Sequence, residues 1–332
     1  MTLLDQVIAN LDDDTVRRVY ADSLGDDPYG EFIAVQLELA ALGHDQANRL
    51  ELVKRENMLF SAHSDEWLSA FGLPATVQIY ARLPYRPQIH HVGPDMVLVE
   101  RGFPDALRLR GDALEHANTP TIRTLVVTGV SPRVLGFVTP ERFPRVDELY
   151  LVSGFPTPIT EIALREQLRT LKLANIVADA DCLVDLTGLR ELVIDQAGLT
   201  NLAALERGTW RRDVTALTLK VGNLPPIGNA LDVMSVVRAG WPALSSLSLD
   251  GRVADEALAT LAQVRDVRNL ETLVLDRCGP VTAAAFANAE MPRLKRFVIA
   301  EPDAGVDEAA LRARFGTNFL TQLDLHRTAR FA

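Results

Sequence analysis

The chain has 332 residues, 48% of them hydrophobic and 23% charged, and these proportions exclude a disordered, collagenous or disulfide-scaffold protein. Its formal net charge is −10, and no lysine- or arginine-rich run offers nucleic-acid phosphates a basic face, so we expect no nucleic acid partner. No window reaches the roughly 18 apolar residues of a membrane span, so we expect no membrane association.

The first 72 residues are predicted to form a small helical domain. Apolar residues between Leu3 and Leu11 recur at the three- and four-residue spacing of a helix face. Asp13 or Asp14 can cap a second helix, and the composition of residues 25–30 predicts a turn before a further helix. The segment is strongly acidic, because residues 1–70 hold 14 acidic and 5 basic groups.

One stretch of this segment resembles the repeat-companion domain of bacterial leucine-rich-repeat proteins. The resemblance is carried by VYADSL at residues 19–24, DPYGEFI at residues 27–33, and Gln36. The sequence departs from the family pattern at Ser23, where tryptophan is usual, and in the short link between Leu24 and Asp27. The resemblance implies a helical domain in front of a repeat array, and it implies no activity.

Residues 73–106 are predicted to connect this domain to the repeats. Residues 76–80 and Met96–Glu100 are predicted strands that cover the first edge of a repeat array. His90 and His91 lie between them, but adjacent strand side chains point to opposite faces and cannot easily share one metal ion. We interpret them as a solvated pair.

One apolar pattern recurs from residue 107 onward: apolar, two residues of any kind, apolar, one of any kind, apolar. The middle apolar residues run from Leu107 to Leu323 in nine steps, a mean of 24 residues a step. After an incomplete copy at Leu107/Leu109, the nine complete copies are Ile122/Leu125/Val127, Val146/Leu149/Leu151, Leu168/Leu171/Leu173, Leu189/Leu192/Ile194, Val214/Leu217/Leu219, Leu244/Leu247/Leu249, Leu270/Leu273/Leu275, Leu294/Phe297/Ile299 and Leu320/Leu323/Leu325.

This pattern resembles the leucine-rich repeat, whose period is about 20–29 residues. The resemblance implies an α/β solenoid, a leucine-rich-repeat horseshoe with a parallel β-sheet on its concave face. The small helical domain would precede it, and residues 107–332 would supply about ten coils. Each copy is too short to be stable alone, so neighbouring coils must share a core.

The return half of each coil is predicted to differ along the chain. In the last three coils we expect short helices, with Asp255 and Thr282 as capping residues and a third helix starting at Asp307. The middle coils, such as the one at residues 154–158, contain glycine and proline and are predicted to be irregular or 3₁₀. Pro225 and Pro226 predict a protruding loop. The family often has asparagine or cysteine at the bend, but here no copy has asparagine there and only Cys278 fits.

The sequence lacks the common catalytic signatures. It has no phosphate-binding loop, dinucleotide fingerprint, zinc-protease motif or nucleophile elbow, so we expect no enzyme activity, cofactor or metal. Residues 12–14 are interpreted as a solvated helix start.

Cys182 and Cys278 are too far apart in sequence to suggest a disulfide framework, which favours reduced thiols and the cytoplasm. Cys278 is expected to be buried.

Residues between the apolar positions should point to the concave face, where a partner would bind. The charged and aromatic residues assigned to partner binding are Arg108, Arg110, Glu148, Tyr150, Lys172, Glu191, Asp195, Lys220, Asp250, Asp276 and Arg296. Tyrosine and arginine are enriched at binding hot spots. A simple solvated β-surface explains the same composition, and the sequence leaves both interpretations open.

We expect a non-enzymatic protein–protein interaction module, a scaffold that recognises a protein partner through the concave face and is itself a monomer. The alternative is a regulatory or substrate-selecting subunit of a separately encoded enzyme, docked through the acidic N-terminal domain. Both hypotheses argue from fold to function by analogy.

Overall fold

A computed structural model describes residues 1–42, 48–73, 77–81, 95–117, 119–195, 198–200, 204, 207–220, 240–250 and 255–321. A helical N-terminal region is followed by a mostly parallel sheet with interspersed helices, which is an α/β fold. The chain divides into two compact units, Met1–Tyr150 (unit 1) and Leu151–Ala332 (unit 2). The domain boundaries predicted after residues 72 and 106 rest on changes in predicted secondary structure, and they remain predictions.

Four helices open unit 1, which confirms the helical N-terminal region that the sequence predicted. They are α1 (Leu3–Ala9), α2 (Asp14–Ser23), α3 (Pro28–Ala41) and α4 (Arg49–Ala70). Asp13, rather than Asp14, caps α2 by accepting the Thr15 amide at 2.8 Å. Asp27 caps α3 in the same way through the Tyr29 amide. These short side chains satisfy amides that a helix start leaves without partners.

The strands of unit 1 are β1 (Gln78–Ala81), β2 (Met96–Glu100), β3 (Phe103–Arg110) and β4 (Thr124–Thr128). β1 and β2 are parallel, β2 and β3 form an antiparallel hairpin, and β3 and β4 are parallel. Leu107 and Leu109 pair with Leu125 and Val127, so the incomplete copy and the first complete copy align as the repeat predicted. The boundary between the units falls within a further strand, β5 (Glu148–Ile159).

The hairpin turn at Arg101 and Gly102 joins the helices to the sheet. The Tyr29 hydroxyl donates to the Gly102 carbonyl at 2.6 Å, and the Gly102 amide donates to Oε1 of Gln36 at 2.5 Å. Gly102 has φ +86°, and a Cβ there would lie 2.4 Å from Cγ1 of Ile33. Residues of the repeat-companion resemblance therefore hold the helices against the first hairpin.

Unit 2 continues the parallel arrangement. Its strands are β6 (Thr170–Asp179), β7 (Glu191–Asp195), β8 (Gly198–Thr200), β9 (Ala216–Lys220), β10 (Ser246–Asp250), β11 (Thr272–Cys278), β12 (Arg296–Pro302) and β13 (Phe319–Thr321). The order is β6-β7-β9-β10-β11-β12-β13, and β8 pairs with the end of β6.

The apolar positions of the repeat align from strand to strand in unit 2. Leu171, Leu192, Leu217, Leu247, Leu273 and Phe297 are consecutive register partners. All six are at most 2% exposed, so they form one continuous apolar row. This alignment confirms the strands that the repeat predicted there.

A second ladder runs through the residues just before these strands. The Arg169 carbonyl accepts the amides of Arg190 and Glu191, and the Arg190 carbonyl accepts those of Thr215 and Ala216. The carbonyls of Thr215, Ser245 and Glu271 accept two amides each from the next coil in the same way. The same pair of backbone hydrogen bonds thus repeats between neighbouring coils from residue 169 to residue 296.

The final copy differs from its prediction. The alignment predicted Leu323 as the partner of Phe297, but Phe319 takes that place. Phe319 is buried, and its ring centroid lies 5.6 Å from that of Phe297. The last described core position is therefore Phe319, four residues before the predicted Leu323. Residues 322–332, including Leu323 and Leu325, lie outside the described residues.

The return halves of the coils also correct two expectations. Residues 154–158 are not irregular but belong to β5. Helices follow β10, β11 and β12 as expected, at Asp255–Leu261, Pro280–Asn288 and Glu308–Phe315. Asp307 caps the last one. The Asp255 side chain accepts the amides of Val281 and Thr282 at the start of the next helix. Thr282 lies inside that helix, so its expected capping role is wrong.

Shorter helical segments complete the return halves. Single turns of α-helix lie at Pro132–Leu135 and Asp181–Val184. Segments of 3₁₀-helix lie at Ala113–Glu115, Thr209–Arg212, Arg265–Asn269 and Gly316–Asn318. No helix among the described residues is both long and apolar enough to cross a membrane. The loop expected around Pro225 and Pro226 lies outside the described residues.

Arginine side chains bond to backbone carbonyls in the segments that connect the strands. In unit 1, Nη2 of Arg142 donates to the carbonyls of Leu114, Glu115 and Ala117 at 2.7–2.8 Å. In unit 2, Nη1 of Arg190 reaches the Asp213 carbonyl at 3.2 Å. Because a guanidinium carries several N–H groups, one side chain can satisfy several carbonyls at a bend.

Candidate interaction surface

Unit 1 places Arg108 differently from the sequence expectation. Arg108 is only 2% exposed, and burial lowers the pKa of its guanidinium, opposed by the nearby Asp95 carboxylate. Its strand neighbours Ala106 and Leu107 are also buried, as is Val126 on β4. Both faces of the sheet are therefore covered here, and Arg108 does not lie on an accessible face.

The other predicted residues of unit 1 are more accessible. The Arg110 side chain is exposed, with Nε 3.6 Å from Oδ2 of Asp95. Glu148 is half-buried and accepts the hydroxyl hydrogen bond of Thr124 at 2.9 Å. Tyr150 is half-buried on β5. These three side chains offer polar contacts at the edge of unit 1.

The predicted residues of unit 2 share one face of its sheet. Lys172 on β6 and Asp276 on β11 are half-buried, while Glu191 on β7 and Arg296 on β12 are exposed. Asp195 and Lys220 are register partners on β7 and β9, and Nζ of Lys220 lies 3.8 Å from Oδ2 of Asp195. The Asp250 side chain lies outside the described residues.

Small side chains occupy the middle of this face. Val193, Thr218, Ser248, Val274 and Val298 are consecutive register partners across β7 and β9–β12. In the register row that precedes them, Glu191 and Arg296 lie on either side of the small residues Ala216, Ser246 and Thr272. We call the outward side chains of β6, β7 and β9–β12 the strand face. Its central row has small side chains on β7 and β9–β12, of which Val298 is only 2% exposed. Lys172 on β6 extends the same row as the register partner of Val193.

The thiols do not supply a nucleophile. Burial raises the pKa of Cys182 to about 12, and it raises that of Cys278 to about 12 as well. A thiol with such a pKa stays protonated at neutral pH and attacks poorly. Cys278 is 1% exposed, which confirms the expected burial. Within the described ranges, no group of three or more His, Cys, Asp or Glu side chains can hold a metal ion.

Sequence reasoning missed a polar junction between the helices and sheet of unit 1. A cavity of about 640 Å³ there is lined by residues 9–14 together with Arg123, Arg145 and Asp147. Nη2 of Arg123 lies 2.6 Å from Oδ1 of Asp12, and Arg145 donates to the Ile8 and Ala9 carbonyls at the end of α1. Since these partners are more than a hundred positions apart, no local pattern could have revealed them.

Comparison with protein-family models gives no match for this sequence, and comparison with curated proteins gives none either. The fold itself defines the class, an α/β protein with a helical N-terminal region and a mostly parallel sheet.

Proposed function

We propose that this chain is a leucine-rich-repeat protein without enzyme activity, and that the strand face of unit 2 recognises a protein partner. The observation that carries the proposal is the common register of β6, β7 and β9–β12, which brings side chains far apart in sequence onto one continuous face.

The assignment to leucine-rich repeats is supported by the coil-by-coil repetition. Each coil contributes one parallel strand and one residue to the buried apolar row. It also contributes one backbone carbonyl that accepts two amides from the next coil. Repeat proteins in general bury a shared core between neighbouring coils and use the extended face for binding. The proposed horseshoe and its concave sheet follow from this analogy.

The binding role is supported by the chemistry of the strand face. Its small, partly exposed central side chains on β7 and β9–β11 let a partner approach the sheet closely, while Glu191 and Arg296 in the neighbouring row can form charged hydrogen bonds. The Asp195–Lys220 pair is partly shielded from solvent. A partner that covers the pair would exclude more water and strengthen the attraction between these two charges. Both cysteines are free thiols, which supports the proposed cytoplasmic location because thiols stay reduced there.

A matched pair of substitutions tests this role. Val274→Arg places a long charged side chain in the centre of the strand face, whereas Val281→Arg makes the same change at an exposed position on the helix Pro280–Asn288. In affinity capture from lysate, we expect Val274→Arg to lose at least tenfold of a protein that the wild type and Val281→Arg retain. Thermal melts establish that both variants are folded. Equal capture by all three proteins would contradict a binding role for this face.

A further inference from the structure

Three successive coils of unit 2 line an open groove at the point where each coil leads into its strand. Arg268 comes from the segment before β11, Met291 and Leu294 from the segment before β12, and Arg314 and Phe315 from the segment before β13. The groove has a volume of about 560 Å³, which lies within the range of small-molecule binding sites.

The floor of this groove is apolar. Met291 and Leu294 are each 6% exposed. Phe315 is half-buried, and its ring centroid lies 5.3 Å from that of Phe297 in the core. Because these side chains are more buried than the charged ones that line the same groove, they form its floor. An apolar group that covers them removes water from their surface, which is favourable.

Two guanidiniums line the same groove. Nη2 of Arg314 donates to the Ala289 carbonyl at 3.2 Å, and its Cζ lies 6.0 Å from the ring centroid of Phe315. The bond to the carbonyl uses one of the five N–H groups of the side chain. Nη1 of Arg268 lies 3.4 Å from Oε2 of Glu290, and both side chains of this pair are exposed. An exposed ion pair contributes little stability, so a ligand anion can take the place of Glu290.

We propose that this groove binds a small organic acid, a carboxylate attached to an aromatic or branched aliphatic body. The body covers the apolar floor, and the carboxylate accepts hydrogen bonds from Arg314, with Arg268 as its second partner. A guanidinium suits this role because its N–H groups form a planar fork that matches a carboxylate. The groove lies where the strands begin and not on the strand face, so this proposal does not depend on the proposed protein partner.

The test is a titration of the full chain with sodium 3-phenylpropionate, followed by ligand-observed NMR at constant ionic strength. We expect a Kd on the order of 1 mM, as is usual for a ligand of about ten heavy atoms. Two control ligands separate the contributions. 3-Phenylpropanamide has the same body without the charge, and sodium acetate has the carboxylate without the body. We expect both controls to bind at least about fivefold more weakly, because each can use only one half of the groove.

Three variants make the test specific to the groove. Arg314→Met keeps an apolar stem but removes the guanidinium, and we expect it to weaken 3-phenylpropionate binding at least about fivefold. Glu290→Gln removes the carboxylate that competes for Arg268, and we expect it to bind about twofold more tightly. Arg277→Met changes an exposed arginine of β11 outside the groove and should leave the Kd unchanged.

Thermal melts establish that the three variants are folded. Wild-type binding of 3-phenylpropionate no tighter than that of the two control ligands would overturn the proposal. Equal affinity in the wild type and Arg314→Met, or weaker binding in Glu290→Gln, would do the same.

Discussion

Gly102 is the residue at which the helices and the sheet of unit 1 depend most directly on each other. Tyr29 and Gln36 hold its carbonyl and amide, and Ile33 fills the space that a side chain would need. The family resemblance drew attention to Tyr29, Ile33 and Gln36, but their shared target lies more than sixty positions away. Sequence could therefore identify these residues without showing what they contact.

We expect Gly102→Ala to destabilise the protein by about 2–4 kcal/mol, because the positive φ and the contact with Ile33 both oppose a Cβ. Gly129→Ala is the matched control, since Gly129 has φ +66° but open space around its Cβ position. There we expect only the conformational cost, about 1 kcal/mol. Urea unfolding measures both values, and equal losses would show that the contact with Ile33 is unimportant.

The burial of Arg108 could not be predicted from the alternation of residues along its strand. Alternation along β3 predicted that Arg108 faces solvent, as it would in a sheet with one open face. The structure buries both faces of the sheet at this strand. A period of two distinguishes the faces of a strand but does not reveal whether a second layer covers the outer one.

Among the helices and strands, the repeat predicted the strands better than the segments that join them. The three apolar positions of a copy identify a strand because they must all be buried. Glycine and proline in residues 154–158 suggested irregular structure, yet these residues extend β5. The last copy was misaligned because Phe319 and Leu323 are both apolar, and only packing against Phe297 decides between them.

Asp255 connects two successive helices of unit 2, and its removal should loosen the second one. Its carboxylate accepts the Val281 and Thr282 amides at 2.8 and 3.0 Å, and the Thr282 hydroxyl donates to its carbonyl at 2.7 Å. We expect Asp255→Ala to cost about 1–2 kcal/mol, as loss of a helix cap does. Amide exchange at Val281 and Thr282 should accelerate.

The neighbouring exposed residue Glu256 provides the control for this substitution. Glu256→Ala should change the free energy of unfolding by less than about 0.5 kcal/mol, the usual range for surface changes. Unchanged exchange at the two amides in Asp255→Ala would show that the bond between the helices contributes nothing.

For the whole molecule, the contacts at Gly102 bear on the hypothesis of an enzyme docked through the acidic helices. Deleting residues 1–70 removes Tyr29 and Gln36 and exposes Phe103, which packs with Val7 and Ile33 in one core. Such a deletion would disrupt unit 1 as well as any docking surface. Substitutions of exposed acidic side chains, such as Asp22 and Asp26, are the better means of testing that hypothesis.

Both the proposed leucine-rich-repeat architecture and the strand face require the register between neighbouring strands of unit 2. Ser248 on β10 pairs with Val274 on β11, so two cysteines at these positions should lie within disulfide range. Oxidation of Ser248→Cys/Val274→Cys followed by mass spectrometry of the linked peptides tests this directly. We expect that pair to form a disulfide and Ser248→Cys/Thr272→Cys, which corresponds to a slip of two residues, to remain largely unlinked. Preferential linking of the second pair would contradict the register and the face built on it.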